Sequence, residues 1–204
     1  MTNKDFSRFC RLLYDRHLVT GVGGNLSVRV GKRFLVTPSG YSLRDVTPEN
    51  VVVVDEGGRT LRGGTPTKDL GMHLLIMACR RDVNAVCHAH GSYLIALSTL
   101  LKPGPDVLPP LTPGSVYLAH PLPMLPYMTP GSRALFEAGA KCFRDQACSA
   151  VLLQNHGLVT VGKSLQDALN VAEEIDEAAR IYLLTRGKAH RIPADGVAAI
   201  KRLR

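Results

Sequence analysis

The chain contains no tryptophan, and aromatic residues make up only 5% of it. A base-stacking surface for nucleic acid needs successive aromatic side chains, so that class of partner is not expected. No apolar run reaches the ~18 residues that a membrane-spanning helix requires. The opening residues, Met1-Thr2-Asn3-Lys4-Asp5-Phe6-Ser7, lack the apolar centre of a secretory signal. No Cys-x-x-Cys spacing occurs among Cys10, Cys79, Cys87, Cys142 and Cys148, and their number is odd. The cysteines, with Cys79 and Cys87 set among apolar residues, therefore read as buried thiols of a reducing compartment, and the expected location is cytoplasmic.

What is present fits a globular chain. Its 204 residues are 45% hydrophobic and 21% charged, which excludes a disordered polymer. A chain of this size buries roughly 70% of its unfolded surface, enough for a core without disulfides or a structural metal. One domain over residues 1–204 is expected. The 25 basic and 17 acidic residues leave a net charge of +8. That excess is dispersed in pairs, Lys32-Arg33 and Arg80-Arg81, and in the tail Lys201-Arg202-Leu203-Arg204. Dispersed charge favours a small anionic ligand over a nucleic acid.

Hydrophobic spacing sets the expected elements. Phe6, Phe9, Cys10, Leu12, Leu13 and Leu18 recur at helical period, and Gly21-Val22-Gly23-Gly24-Asn25 breaks that helix. Leu26–Val30 alternates as a half-buried strand, turns at Gly31-Lys32 and returns through Arg33–Thr37. Val51–Asp55 is a β-branched strand. A helix is expected over Lys68–Arg80, with Leu70, His73, Leu74, Met77 and Ala78 on one face. Val83–His90 reads as a strand and Ser92–Leu101 as a helix. Residues 102–130 hold most of the prolines, so irregular structure or edge strands are expected there. Arg133–Phe143 is helical, Ala150–Gln154 and Gly157–Gly162 are strands, and Ser164 caps a helix to about Arg186. The tight hairpins predict a mainly antiparallel α/β sheet with helices on both sides.

Three histidines stand at strand ends. His88 and His90 are two apart, so both project from one face of their strand. His156 ends another strand in Gln154-Asn155-His156-Gly157, where the glycine permits a sharp turn that aims the ring at a neighbouring strand end. Three neutral imidazoles with an open position are the pattern of a catalytic metal site, and Asp69 is a candidate fourth group. His73 lies on the apolar face of its helix and reads as a packed or supporting histidine. The glycine-rich Gly21–Asn25 segment precedes a strand and lacks a following Gly-Lys-[Ser/Thr], so it fits neither nucleotide fingerprint. Its backbone can still cradle an anion, as can the cation and free N–H groups of Thr67-Lys68 at a helix start. Ser39-Gly40 is a further small-donor pair.

Taken in order, Gly23-Gly24-Asn25-Leu26-Ser27-Val28-Arg29, Thr37-Pro38-Ser39-Gly40, Pro66-Thr67-Lys68-Asp69, His88-Ala89-His90 and Gln154-Asn155-His156-Gly157 resemble the class II aldolase/adducin family. The resemblance runs from about Phe6 to Gly187, and Glu173-Glu174 falls on the late helix in the expected place. It implies a three-layer α/β/α fold and a homotetramer with active sites between subunits. It implies zinc, or another divalent metal, on His88, His90 and His156, with Asp69 as acid/base and a possible ligand. Gly24, Asn25, Ser39, Gly40, Thr67 and Lys68 would hold a substrate phosphate. The implied reaction is cleavage of a carbon–carbon bond in a small phosphorylated keto sugar through a zinc-stabilised ene-diolate.

Alternatives within the resemblance are decarboxylation of a 3-oxo sugar-acid phosphate and 4-epimerisation of a pentulose phosphate. A non-catalytic assembly module, as in adducin, is the alternative outside enzymology. Two features depart from the family pattern. Aldolases and decarboxylases of this type carry Glu where this chain has Asp69; ribulose-phosphate epimerases carry Asp, but their Thr-His-Ala-Asp segment is absent after Lys102. A second proton carrier is often a tyrosine, and the corresponding loop here offers Tyr117.

Overall fold

The computed structural model describes residues 1–203; Arg204, the end of the basic tail, lies outside them. Eight strands form one sheet in the order β4-β3-β2-β1-β5-β8-β7-β6. They are β1 Asn25–Val30, β2 Arg33–Val36, β3 Val52–Asp55, β4 Thr60–Arg62, β5 Ala85–Ala89, β6 Met124–Leu125, β7 Ala150–Leu153 and β8 Gly157–Gly162. The helices are α1 Asn3–Asp15, α2 Leu70–Cys79, α3 Ser92–Leu100, α4 Pro113–Ala119, α5 Arg133–Cys142, α6 Leu165–Leu184 and α7 Ala194–Lys201.

Side chains alternate across the sheet and so build two cores. Leu26, Val28, Ala85, Cys87, Leu152 and Leu158 pack under α1, α3, α4 and α6. Phe34, Val36, Val52, Val54, Val86 and Val159 pack under α2 and α5 on the other face. This is the expected three-layer α/β/α arrangement. The expectation of a mainly antiparallel sheet is corrected to a mixed one. β6 runs parallel to β7, while the remaining pairs run antiparallel. The chain passes from β6 to β7 through α5, and a helical crossover of that length is the connection that parallel neighbours need.

Four further expectations change. The segment expected to be irregular or to form edge strands does supply the edge strand β6, but it also holds α4, which Thr112 starts by accepting from the Ser115 N–H, with Pro113 at the first helical position. α2 starts at Leu70 and buries Met72, His73, Ile76 and Met77, whereas Ala78 is exposed. The helix is apolar nearly all round because it packs on both the sheet and α5, so periodicity alone does not choose its inward face. Gly71 lets that packing occur, since a Cβ there would stand 2.7 Å from the Phe136 ring. All five cysteines are free; Cys10, Cys87 and Cys148 are buried and Cys142 partly so, but Cys79, near the end of α2, is exposed. β4 and α7 are additional elements that the spacing did not reveal.

Candidate functional site

The site forms where β1, β5 and β8 meet their loops on the face covered by α2. Even-numbered residues of β5 point to that face, and His88 continues the row from Val86. His90 lies one residue beyond the strand, and its N–H donates to the Leu18 carbonyl. The two-residue spacing holds: His90 Nε2 stands 2.9 Å from His88 Nε2. His156 arrives from the β7–β8 hairpin and puts its Nε2 3.3 Å from His88 Nε2. Ligand atoms of the three histidines all lie within 4.8 Å of one another. Asp69 is not part of that group.

The turn that delivers His156 differs from the expected one. Asn155 (φ 57°) carries the left-handed conformation, and its N–H is held by the Ser98 hydroxyl. Gly157 is a glycine for lack of room. A Cβ there would stand 2.3 Å from the Ala89 carbonyl oxygen and 2.9 Å from His90 Cδ2. Gly23 and Gly24 work similarly on the other side. A Cβ on Gly23 would meet His90 Nδ1 at 2.7 Å; Gly24 combines a φ of +73° with an approach of 2.8 Å to the His88 carbonyl. Three glycines thus let backbone close around the imidazoles.

The donor set suits a divalent metal. His88 Nδ1 lies 3.0 Å from the Leu158 carbonyl oxygen, which can only accept, so Nδ1 bears the proton and Nε2 keeps its lone pair. Burial pushes His88 well below the ordinary imidazole range, and its two histidine neighbours push it further. Burial also brings His90 down to about 4, with His156 adding and Asp69 opposing, and it lowers His156. At neutral pH all three rings are therefore uncharged, the form that ligates. Nitrogens on a tetrahedral zinc at ~2.0–2.1 Å lie about 3.3–3.4 Å apart; the His88–His156 pair stands at 3.3 Å and the His88–His90 pair at 2.9 Å.

Asp69 is the residue before α2, a position where Asp usually accepts helix N–H groups. Here it makes no such bond. Its Oδ2 accepts instead from Asn25 Nδ2 at 2.8 Å. Asn25 pairs across the sheet with His88, which brings Asp69 to the edge of the imidazole group, near enough to bias His90 and His156. His73 is fully buried, with Nδ1 2.8 Å from the Ser27 hydroxyl, which agrees with its expected packed role.

The three candidate anion loops are neighbours. Thr67 N–H donates to the Thr37 carbonyl and Ser39 N–H to that of Thr65, while the Leu26 and Thr37 backbones pair. Thr67 is buried, Lys68 and Gly40 are exposed, and Ser39 and Gly24 lie between these extremes. Gly40 takes a φ of +79° with open space around its α-carbon. Tyr117 is elsewhere within the chain. It sits on α4, packed with α6 and α7 in the layer on the opposite face of the sheet. Of the expected late-helix pair, Glu173 binds Arg16 and Glu174 lies against Gly114 at the start of α4.

Residues 4–183 match the Class II Aldolase and Adducin N-terminal domain. The L-fuculose phosphate aldolase of Methanococcus maripaludis is 37% identical over 185 residues, covering 90% of this chain and 98% of that protein. The 3-oxo-tetronate 4-phosphate decarboxylase of Haemophilus influenzae is 36% identical over 187 residues, covering 91% of this chain and 88% of that one. In three dimensions, a solved structure of an L-fuculose 1-phosphate aldolase superposes with a TM-score of 0.88 at 28% identity, covering 99% of this chain and 95% of that one. With a matching profile over most of its length and relatives of this identity, the chain belongs to the class II aldolase and adducin N-terminal domain family.

Proposed function

We propose that the protein is a zinc-dependent lyase that breaks a carbon–carbon bond of a small phosphorylated keto sugar. The observation that carries the reading is the convergence of three neutral imidazoles, His88, His90 and His156, beside a carboxylate that has given up its helix-capping role. A divalent metal held by these imidazoles, zinc in this reading, supplies Lewis-acid polarisation of the substrate carbonyl. Asp69 carries the proton at the carbon next to that carbonyl. The Gly24-Asn25, Ser39-Gly40 and Thr67-Lys68 loops hold the phosphate, with the Lys68 ammonium as counter-charge. The reading includes a cytoplasmic homotetramer with sites at subunit interfaces. Its partner is a sugar phosphate, not nucleic acid or membrane. Tyr117 reaches a site in this reading only from a neighbouring subunit.

A second reading, decarboxylation of a 3-oxo sugar-acid phosphate, is favoured by the near-equal identity to the Haemophilus influenzae decarboxylase. The two separate by product. The protein is incubated with L-fuculose 1-phosphate and, separately, with a 3-oxo-tetronate 4-phosphate. Aldehyde release from the first supports aldol cleavage. Carbon dioxide from the second, with no aldehyde from the first, selects decarboxylation. Neither product, with one zinc bound per chain, contradicts both readings.

A further inference from the structure

We propose that Ser98 is a positioning residue for His156: its hydroxyl fixes the turn that carries that imidazole. The inference rests on the reading of the three imidazoles as ligands of one divalent metal.

The ring of His156 lacks the support that His88 has. The Leu158 carbonyl stands 3.0 Å from His88 Nδ1 and so orients that imidazole. His156 Nδ1 is buried, and among the described residues no hydrogen-bond partner reaches it. A ligating ring is ordinarily oriented through its second nitrogen. Without that hold, the His156 ring takes its place from its backbone, the turn of residues 154–156 between β7 and β8. Each N–H of the turn has a partner. Gln154 donates to the Leu125 carbonyl and His156 to the Leu153 carbonyl, within the hairpin. Asn155 donates to the Ser98 hydroxyl at 3.0 Å. Asn155 is also the residue with the left-handed φ of 57°, a conformation that asparagine tolerates at some cost. The tie from Ser98 thus falls on the strained residue directly before the imidazole.

Donor roles at Ser98 admit one arrangement. A backbone N–H only donates, so the hydroxyl accepts from Asn155 and gives its own proton to the Ile95 carbonyl at 2.7 Å. Ser98 is 0% exposed, on the face of α3 that buries Leu94 and Leu97. A hydroxyl buried among leucines is costly unless both its roles are filled, and here they are. The helix that presents it is the one into which His90 leads. In its first turn the Gly91 carbonyl accepts from the Ile95 N–H at 3.0 Å. A run of three hydrogen bonds therefore joins the residue after His90 to the residue before His156. It couples two imidazoles whose chain segments lie far apart in sequence.

The test uses the full-length protein loaded with zinc, and again with cobalt in its place. In Ser98→Ala the zinc dissociation constant, read by competition with a chromophoric chelator, rises ~10–100-fold, the usual cost of losing a group that orients a ligand. The visible absorption of bound cobalt, which reports ligand geometry, changes in position or intensity. Val54→Ala removes buried volume from β3, which two strands separate from β5. It lowers the melting temperature, yet zinc affinity stays within about 3-fold of wild type and the cobalt absorption is unchanged. Ser98→Thr keeps a hydroxyl that can bond the preceding turn, and zinc affinity returns to within about 3-fold of wild type. Wild-type zinc affinity and cobalt absorption in a folded Ser98→Ala variant would overturn the proposal, as would equal losses in Val54→Ala.

A second measurement needs no metal. In the metal-free protein, deuterium uptake by a peptide spanning residues 154–157 is about 5-fold or more faster in Ser98→Ala than in wild type, since one buried amide has lost its acceptor. Unchanged uptake overturns the proposal. If the wild type binds neither zinc nor cobalt, the three-imidazole reading fails by itself, and the uptake still decides whether Ser98 holds the turn.

Discussion

Replacing Gly157 with alanine tests how closely backbone packing controls the imidazole cluster. Its φ is not in the left-handed region, so alanine can adopt the backbone angles and only contact matters. The new Cβ would stand 2.3 Å from the Ala89 carbonyl oxygen, against the 3.4 Å at which ordinary contact begins. The ends of β5 and β8 must then part by about 1 Å, since a backbone oxygen in a paired strand cannot rotate away. Overpacking of this kind costs about 1–3 kcal/mol, which a domain with ~5–15 kcal/mol of stability survives. His156 precedes Gly157 and moves with it, while His90 stays with β5. Metal-ligand distances tolerate only ~0.2 Å, so zinc affinity falls by at least ~10-fold. Competition titration against a chromophoric chelator measures the affinity, and a far-ultraviolet dichroism melt checks the fold. A folded Gly157→Ala variant that binds zinc as tightly as wild type would refute the reasoning.

Other consequences can be checked together. Asp69→Asn lowers turnover ~10²–10⁴-fold while zinc content stays at the wild-type level, because Asp69 lies outside the three-imidazole group; loss of zinc in this variant would make it a ligand. The metal-free protein loses stability as pH falls from about 6.5 toward about 4. His73 and His90 are each lowered to about 4 by burial, so the unfolded chain binds more protons in that window. For His73 alone, fully buried, the loss is roughly 3 kcal/mol, read from urea unfolding at several pH values. Gly24→Ala combines a φ of +73°, which residues with a Cβ rarely adopt, with contacts of 2.3 Å to Val19 and 2.8 Å to the His88 carbonyl. It should cost more stability than Gly157→Ala, as the same melts would show.

Much of the site is legible in the sequence because its signals are local. A two-residue spacing on a strand places His88 and His90 on one face, and His156 ends a neighbouring strand. Contact between those strand ends is not local, and it depends on β5 and β8 being paired, with Ala89 opposite Leu158. The glycine after His156 invites a turn explanation, yet its cause is the Ala89 carbonyl, which lies far away in sequence. Asp69 was visible as an acidic group at a helix start; its bond to Asn25 joins residues 44 apart and leaves no mark on spacing. The helix α4 carries a Thr-Pro start that the surrounding prolines obscure. β6 has only two residues, too few for a pattern, so the parallel edge becomes visible only once α5 is seen to cross between strands.

The central claim is that His88, His90 and His156 hold one divalent metal. Elemental analysis of the wild type and of His88→Ala, both purified from zinc-replete medium, tests it most directly. About one zinc per chain in the wild type, lost in the variant, is the result that a three-imidazole site predicts. No metal in either, even after zinc is added, would contradict the account and leave an assembly role for this fold in front.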